Sequence, residues 1–379
     1  MPGPPSTSMV AGVQPRGAAL STICLNMIVK DETPVLRRCL RSVRPFIDAW
    51  VIVDTGSSDG TQDLVREEMA GIPGELHERP WVDFAVNRSE AIRLAGRRCD
   101  YLYMIDADEE LVLPEGWARP ALEADAYTLE YRFGNLSYAR ISLVAARLPW
   151  RYEGVLHEYL ECGTPTAGQP LAGPMVVCRP EGARSRDPEK FLKDARVLEA
   201  ALAKEPGHAR YRFYLAQSYR DAGDPCRALE HYQQRAALGG WAEEVYISRL
   251  NVARLKERLE APPAEVVRAY QEAHLARPGR AEALVDLARY HRLREEHPLA
   301  YLCARAASEL EPTADVLFVE SDALDWRAPD ERAIAAYWTG RHAESRDLCT
   351  RLLDGGRLPE SERRRVEANR QFARAARAG

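Results

Sequence analysis

The sequence predicts a two-part chain: an α/β domain on a mostly parallel sheet, then an all-α domain of repeated helix pairs. Three observations predict it. Before about residue 185, short apolar runs end in acidic or glycine-rich turns and alternate with helical stretches, the pattern of strands joined by helical crossovers. After Pro188, strand-like runs give way to helix after helix, separated by Pro206-Gly207, Gly223-Asp224-Pro225, Gly239-Gly240, Pro262-Pro263, Pro278-Gly279 and Pro312. The length of 379 residues, 46% of them hydrophobic, provides cores for two or three domains.

The elements follow in order. Residues 1–20 are rich in Pro, Gly, Ser and Ala and lack both a basic and an apolar region, so they read as a loose tail and not as a signal peptide. In the α/β domain, 21–185, Ile23–Val29 reads as a strand, Val35–Ser42 as a helix and Trp50–Asp54 as a buried strand. Gly60–Ala70 and Asn87–Ala95 read as helices, and Tyr101–Asp106 as a third strand. In the second domain, 186–379, apolar residues recur at helical spacing through ten segments, from Pro188–Lys204 to 359–376. Tyr214-Leu215-Ala216…Tyr219 with Ala228…Tyr232 recurs as Asp286-Leu287-Ala288…His291 with Ala300…Cys303. The offset is about twice the ~34-residue period of tetratricopeptide (TPR) repeats, which this stretch resembles over roughly 188–358. Such helix pairs bury their small-residue faces against neighbours and build a superhelix with a concave surface. A packing or homo-dimer role for it and a groove for a partner chain both stay open.

Composition excludes several functions. The formal net charge is −5, the acidic excess lies in the first half and the helical half is near balance, so no footprint for nucleic acid or anionic lipid dominates. The longest apolar runs, such as Ala49–Val53, fall far below the ~18 residues of a membrane span. Eight scattered cysteines without a CxxC pair fit reduced thiols and a cytoplasmic protein.

Three segments stand where strands should end: Lys30-Asp31-Glu32, Asp54-Thr55-Gly56-Ser57-Ser58-Asp59-Gly60-Thr61, and Asp106-Ala107-Asp108-Glu109-Glu110. Each alone could be a solvated turn. Together they point to one crevice beyond the carboxyl ends of the strands, where open α/β sheets bind ligands. Asp106 and Asp108 alternate about Ala107, so two carboxylates face the same side. With Asn87-Arg88-Ser89-Glu90-Ala91, these segments resemble family 2 glycosyltransferases of the GT-A fold. The whole chain resembles bacterial and viral members fused to TPR repeats, including peptide S-glycosyltransferases, in which a tryptophan precedes a G-x-x-H-E motif, here Trp150–Glu158.

The resemblance implies a metal-dependent, inverting transfer from a nucleotide-sugar, a UDP-sugar, to a peptide, protein or glycan acceptor. It implies Mn²⁺ or Mg²⁺ held by Asp108, with Asp106 on metal-bound water or ribose and His157 as a third metal or diphosphate ligand. It places Asp54 on the nucleobase or ribose, with Thr55, Gly56, Ser57 and Asp59 in the same binding loop, and Asp31 and Glu32 where the donor base packs. Arg88 offers a two-pronged donor to phosphate or sugar hydroxyls. Such an ion suits this chemistry, because it neutralises a diphosphate whose charge rises as it leaves. The catalytic base falls to Glu158, with Glu153 second and Glu109 behind them; Glu158 could instead orient His157. Trp81, Trp150 and Tyr152 are either a stacking platform or core. Residues 182–188 are either a linker with Asp187 as helix cap or a lid whose Arg184 and Arg186 close over the diphosphate. Two other readings stand beside this one. A sugar nucleotidyltransferase wants a glycine-rich loop after the first strand, and Asn26–Glu32 has no glycine. A TPR scaffold carrying an inactive transferase-like domain would be expected to have lost Asp106, Asp108 or His157.

Overall fold

The computed structural model describes residues 20–376 except 135, 165 and 167, so all but the last residue of the expected tail lies outside the described residues. The chain opens with β1 (Ile23–Val29), α1 (Thr33–Val43), β2 (Ala49–Asp54), α2 (Thr61–Glu68), β3 (Gly74–Glu78), α3 (Phe84–Ala95) and β4 (Tyr101–Met104). These four strands are parallel in the order β3-β2-β1-β4, with Val29 opposite Asp54 and Asn26 opposite Met104. The register explains why the three acidic segments meet: they leave the same edge of adjoining strands.

Both faces of the parallel strands are covered. Leu25, Met27 and Val29 pack with Leu36 and Leu40 of α1 on one face, and Cys24 and Val51 pack with Ile92 and Ala95 of α3 on the other. The near-continuous apolar runs of β1 and β2 follow from burial on two sides. Asn26 is the polar exception on β1, and its side-chain amide donates to Ala91 O at 2.8 Å.

The sheet continues beyond the expected strands. β5 (Glu109–Val112), β6 (Ala126–Phe133), β7 (Leu136–Ala145), β8 (Arg151–Glu153), β9 (Tyr159–Glu161) and β10 (Gln169–Cys178) follow in the chain. β7 runs antiparallel to β4, and the order continues β7-β6-β10-β5, while β8 and β9 form a separate hairpin. Sequence reading placed no strands here, because β6 and β7 carry Glu130, Arg132 and Arg140 among their apolar residues and so break the apolar-run signal.

A 3-10 turn, Ala183–Arg186, leads into α4 (Lys190–Lys204), α5 (Ala209–Asp221), α6 (Pro225–Ala237), α7 (Ala242–Arg258), α8 (Pro263–Ala276), α9 (Glu282–Leu293) and α10 (His297–Ser308). α11 (Ala328–Trp338), α12 (His342–Asp354) and α13 (Glu360–Ala375) complete the stack. The cap of α4 is Glu189; Asp187, expected there, stands two residues earlier and accepts the Glu189 N–H at 2.9 Å. The expectation of an all-α second half needs one correction. β11 (Val319–Glu320) leaves the helices and pairs antiparallel with β7 at Ser137 and Leu136. The strap leading to it is held by Glu243, which accepts the N–H groups of Val316 and Leu317 at 2.9 and 2.7 Å. Arg280 donates to the carbonyls of Leu317 and Phe318 at 3.1 and 3.0 Å. Among the described residues no helix is long and apolar enough to cross a membrane.

Candidate active site

The loops after β1 and β2 are stapled together by their own side chains. Asp54 Oδ1 accepts the N–H groups of Gly56 and Ser57 at 3.0 and 2.9 Å and the Gln62 amide at 2.9 Å. Burial works against ionisation of Asp54, but these bonds outweigh it and hold its pKa below the usual carboxylate value. Its other oxygen, Oδ2, is buried without a hydrogen-bond partner. Asp59 reaches both neighbouring helices: Oδ2 accepts Thr33 N–H and Thr33 Oγ1–H, and Oδ1 accepts Thr61 N–H and Thr61 Oγ1–H. Asp31 adopts φ +53°, a left-handed conformation that aspartate tolerates better than most residues, and its carboxylate accepts Ser58 N–H at 2.8 Å.

The strand end after β4 carries the charge. Arg88 of α3 donates to Asp106 Oδ1 at 2.6 Å, and its Nε lies 2.8 Å from Glu158 Oε1. Arg140 of β7 approaches the same aspartate at 3.5 Å and donates to Glu109 Oε1 at 3.2 Å, with its guanidinium 4.7 Å from the centroid of the Tyr131 ring. Glu109 Oε2 accepts the Asp106 N–H at 2.9 Å. Burial opposes ionisation of Asp106, but the two guanidiniums prevail and keep its pKa well below the ordinary value. Burial pushes the Glu109 carboxyl up.

The linker closes over the remaining carboxylates. Gly182 N–H donates to Asp108 Oδ2 at 3.0 Å, and Ala183 N–H donates to both Glu32 oxygens at 3.2 and 3.1 Å. A Cβ at residue 182 would lie 2.9 Å from Asp108 Oδ2, so glycine permits this approach. Burial raises the pKa of Asp108, and burial aided by the Asp108 charge raises that of Glu32 to about 7 against the Ala183 bond. Arg184 pairs with Asp194 of α4 and stacks 4.8 Å over Phe84, while Arg186 donates to the Asp31 carbonyl at 3.3 Å. Arg184 therefore braces the two domains against each other.

His157 faces the same space from the other side. It adopts φ +53° and stacks on Tyr214 of α5 with ring centroids 3.8 Å apart and planes 10° from parallel. Its ring is open to solvent on the cleft side; the protein packed around it and the charges of Arg184, Arg210 and Lys190 push its pKa down to about 3, so the ring is neutral.

These parts enclose a cavity of about 560 Å³ lined from the sheet side by Glu32, Thr55, Arg88, Asp106, Asp108 and His157. The helical side contributes Lys190, Phe191 and Asp194 of α4, and Gln217, Ser218 and Asp221 of α5. Of the residues expected at the site, Asp31 and Arg184 also line it, and Trp81 stands at its rim, 42% exposed. Asp54, Gly56, Ser57 and Asp59 lie behind Thr55 and shape the loop. Glu158 is withdrawn behind Arg88. Glu153 is not brought to the cavity at all; it pairs with Arg151 at 2.6 Å on β8. Trp150 is core, its indole N–H bonded to Ala145 O at 3.1 Å, and Tyr152 backs Arg88. Sequence reasoning missed Arg140, Arg210 and Tyr214, which approach from a strand and a helix whose pairing no local pattern announces.

The donor set fits a divalent ion shared with a ligand. Among the described residues no three His, Cys, Asp or Glu side chains form a ready-made cage. Among the described residues Asp108, unlike Asp106, has no cationic partner, and the neutral His157 borders the same cavity. Mg²⁺ uses one or two carboxylates, waters and substrate phosphates in preference to an all-protein cage, and Mn²⁺ accepts the same oxygen donors.

Comparison with known proteins places this geometry. The family described as Glycosyl transferase family 2 matches residues 24–124. A TPR repeat-containing protein of Synechococcus elongatus is 31% identical over 318 residues, covering 78% of this chain and 77% of that protein. The lipopolysaccharide core biosynthesis glycosyltransferase LpsC of Rhizobium meliloti is 34% identical over 127 residues, 28% of this chain and 44% of its own length. Among solved structures, MamA is similar over 50% of this chain and 90% of its own, at 16% identity and a TM-score of 0.33.

Proposed function

The chain belongs to the family 2 glycosyltransferases that carry C-terminal TPR repeats, and on that premise we propose that it transfers a sugar from a UDP-sugar to a peptide, protein or glycan acceptor, with inversion and with the help of Mn²⁺ or Mg²⁺. The observation that carries this reading is the single cavity in which Arg88, Asp106, Asp108 and His157 meet at the ends of the parallel strands.

In the transfer, the acceptor oxygen or sulfur bonds to the anomeric carbon as the bond from that carbon to the diphosphate breaks. The diphosphate leaves with the bonding pair, and the acceptor proton passes to a carboxylate. Arg88, fixed by Asp106, presents its guanidinium to the diphosphate. Asp108 and His157 would hold the ion, which when bound supplies Lewis acidity toward the leaving phosphate oxygens. Glu158 is the base the sequence favours, but its contact with Arg88 gives it the task of holding that arginine. Of the carboxylates on the cavity wall, Glu32 is the one we assign to receive the proton, because burial raises its pKa to about 7. Because α4 and α5 form one wall, the acceptor enters between the sheet domain and the first repeat.

The test is thermal unfolding with UDP, GDP, dTDP or CMP, each with and without Mn²⁺. A ligand that binds only the folded state raises the melting temperature. The expected result is a shift largest for UDP with Mn²⁺. A folded sample unmoved by every nucleotide would sink the transferase reading in favour of an interaction scaffold. Hydrolysis of a UDP-sugar panel then identifies the sugar.

A further inference from the structure

The G-x-x-H-E loop, Gly154–Glu158, belongs by sequence to the sheet domain but is built on the helical one. Leu156 is buried in the same apolar cluster as Leu198, Tyr211 and Tyr214, and Val155 packs against that cluster. Gly154, at φ +109°, needs glycine for its backbone, and a Cβ there would face Tyr211 at 3.9 Å. Arg210 donates through Nε and Nη2 to the His157 carbonyl at 3.4 and 3.2 Å. The same guanidinium lies 5.1 Å from the Tyr214 ring and 5.3 Å from the Tyr159 ring, and 3.6 Å from the buried Glu244. Tyr214 in turn covers one face of the His157 imidazole. From the far end of the loop, contacts run from Glu158 to Arg88 and from Arg88 to Asp106.

A left-handed, non-glycine residue such as His157 persists only where its surroundings over-determine it. Here those surroundings are two side chains of one helix. We infer that α5 is part of the catalytic centre: Arg210 and Tyr214 are positioning residues that hold His157, and through Glu158 also Arg88, in register with the donor site. The helical domain is then not only a recruiting arm. Its first repeat completes the transferase, and movement of that repeat is felt at Arg88 and Asp106 through one loop. This inference rests on the transferase reading above.

The test uses the full chain with Arg210→Met, Tyr214→Leu and Tyr214→Phe, and Leu198→Ala as a control in the same core but on α4. Four quantities are compared: affinity for UDP with Mn²⁺, hydrolysis of UDP-glucose and UDP-N-acetylglucosamine without acceptor, thermal unfolding, and the His157 ring-proton NMR signal assigned with His157→Gln. A face-stacked ring shifts that signal upfield. Tyr214→Leu should abolish the shift, and Tyr214→Phe should keep it and recover turnover relative to Tyr214→Leu. Arg210→Met and Tyr214→Leu should lower UDP affinity or turnover by about 10- to 100-fold, the cost typical of losing a side chain that orients a ligand. Leu198→Ala should lower the melting temperature without a comparable loss. Variants that bind and turn over as the wild type does, an unmoved His157 signal in Tyr214→Leu, or equal losses in Leu198→Ala at equal destabilisation would each overturn the assignment. A wild type that neither binds UDP nor hydrolyses either donor refutes the transferase reading instead.

Discussion

Asp106 illustrates how differently a residue reads in sequence and in space. In sequence it is the first acid of Asp106-Ala107-Asp108, a natural metal ligand. In the structure both of its oxygens face guanidiniums, Arg88 on one side and Arg140 on the other. The labour is divided: Asp106 fixes two arginines, whereas Asp108 accepts the Gly182 N–H of the linker. Arg140 does not line the cavity and acts through Asp106 and Glu109, so its removal should disturb donor binding indirectly. Arg140→Gln is expected to reduce kcat/KM for the donor by about 10-fold or more and to cost about 1–3 kcal/mol of stability by leaving Glu109 without its charged partner. Arg140→Lys should recover part of both, since it keeps the charge and loses the fork. Steady-state kinetics and denaturant unfolding measure these; equal activity in Arg140→Gln would remove Arg140 from the site. Arg140 was not legible beforehand because an arginine on a strand acquires meaning only once β7 is known to lie beside β4.

At the scale of elements, the Asp54–Thr61 segment was legible as a polar strand end, but the bonds its residues make were not. Asp54 and Asp59 both read as nucleotide contacts. In the structure Asp59 accepts the first N–H of α1 and the first N–H of α2, so one carboxylate caps two helices whose own cap residues, Glu32 and Gly60, make no side-chain capping bond. A partly buried helix start without a capping partner is costly, and the Asp59 carboxylate also meets the positive ends of both helix dipoles. Asp59→Ala should therefore destabilise the protein by about 1–2 kcal/mol, and Asp59→Asn by less. The pH dependence follows. The folded pKa of Asp59 is lowered from 3.8 to about 2, despite the opposing effect of burial, by its bonds to Thr61 and Thr33. Its contribution is therefore present above 3.8 and is lost as pH falls toward 2. Unfolding curves of wild type and Asp59→Ala should converge at that acid end; parallel curves at all pH values would show that the carboxylate charge is not what stabilises the joint. The helices of the second half were read close to their true extents because glycine and proline mark their ends whatever they pack against.

For the whole molecule, the change of period near residue 185 was visible, and the 3-10 turn Ala183–Arg186 stands there, between the last strand of the sheet and α4. What the change of period concealed is how firmly the halves are joined. The cavity has walls from both, Arg184 braces α3 against α4, and β11 returns to the sheet from the helical side. Such sharing predicts one cooperative unfolding transition for the full chain. Glu243→Ala would strand the N–H groups of Val316 and Leu317 at a cost of about 1–3 kcal/mol, releasing the strap that carries β11. Calorimetry should then resolve two transitions where the wild type has one; a single unchanged transition would show that β11 contributes nothing to the union.

The pairing of β11 with β7 also sets an order on synthesis. Ser137 leaves the ribosome roughly 180 residues before its partner Val319. At ordinary rates of elongation that is a delay on the order of ten seconds. During it the helical repeats emerge and stack while this stretch of β7, already paired with β6 on one side, lacks its second neighbour. The sheet of the first domain therefore gains its last pairing from a strand of the far domain, and a chain cut short within the repeats would lack that pairing.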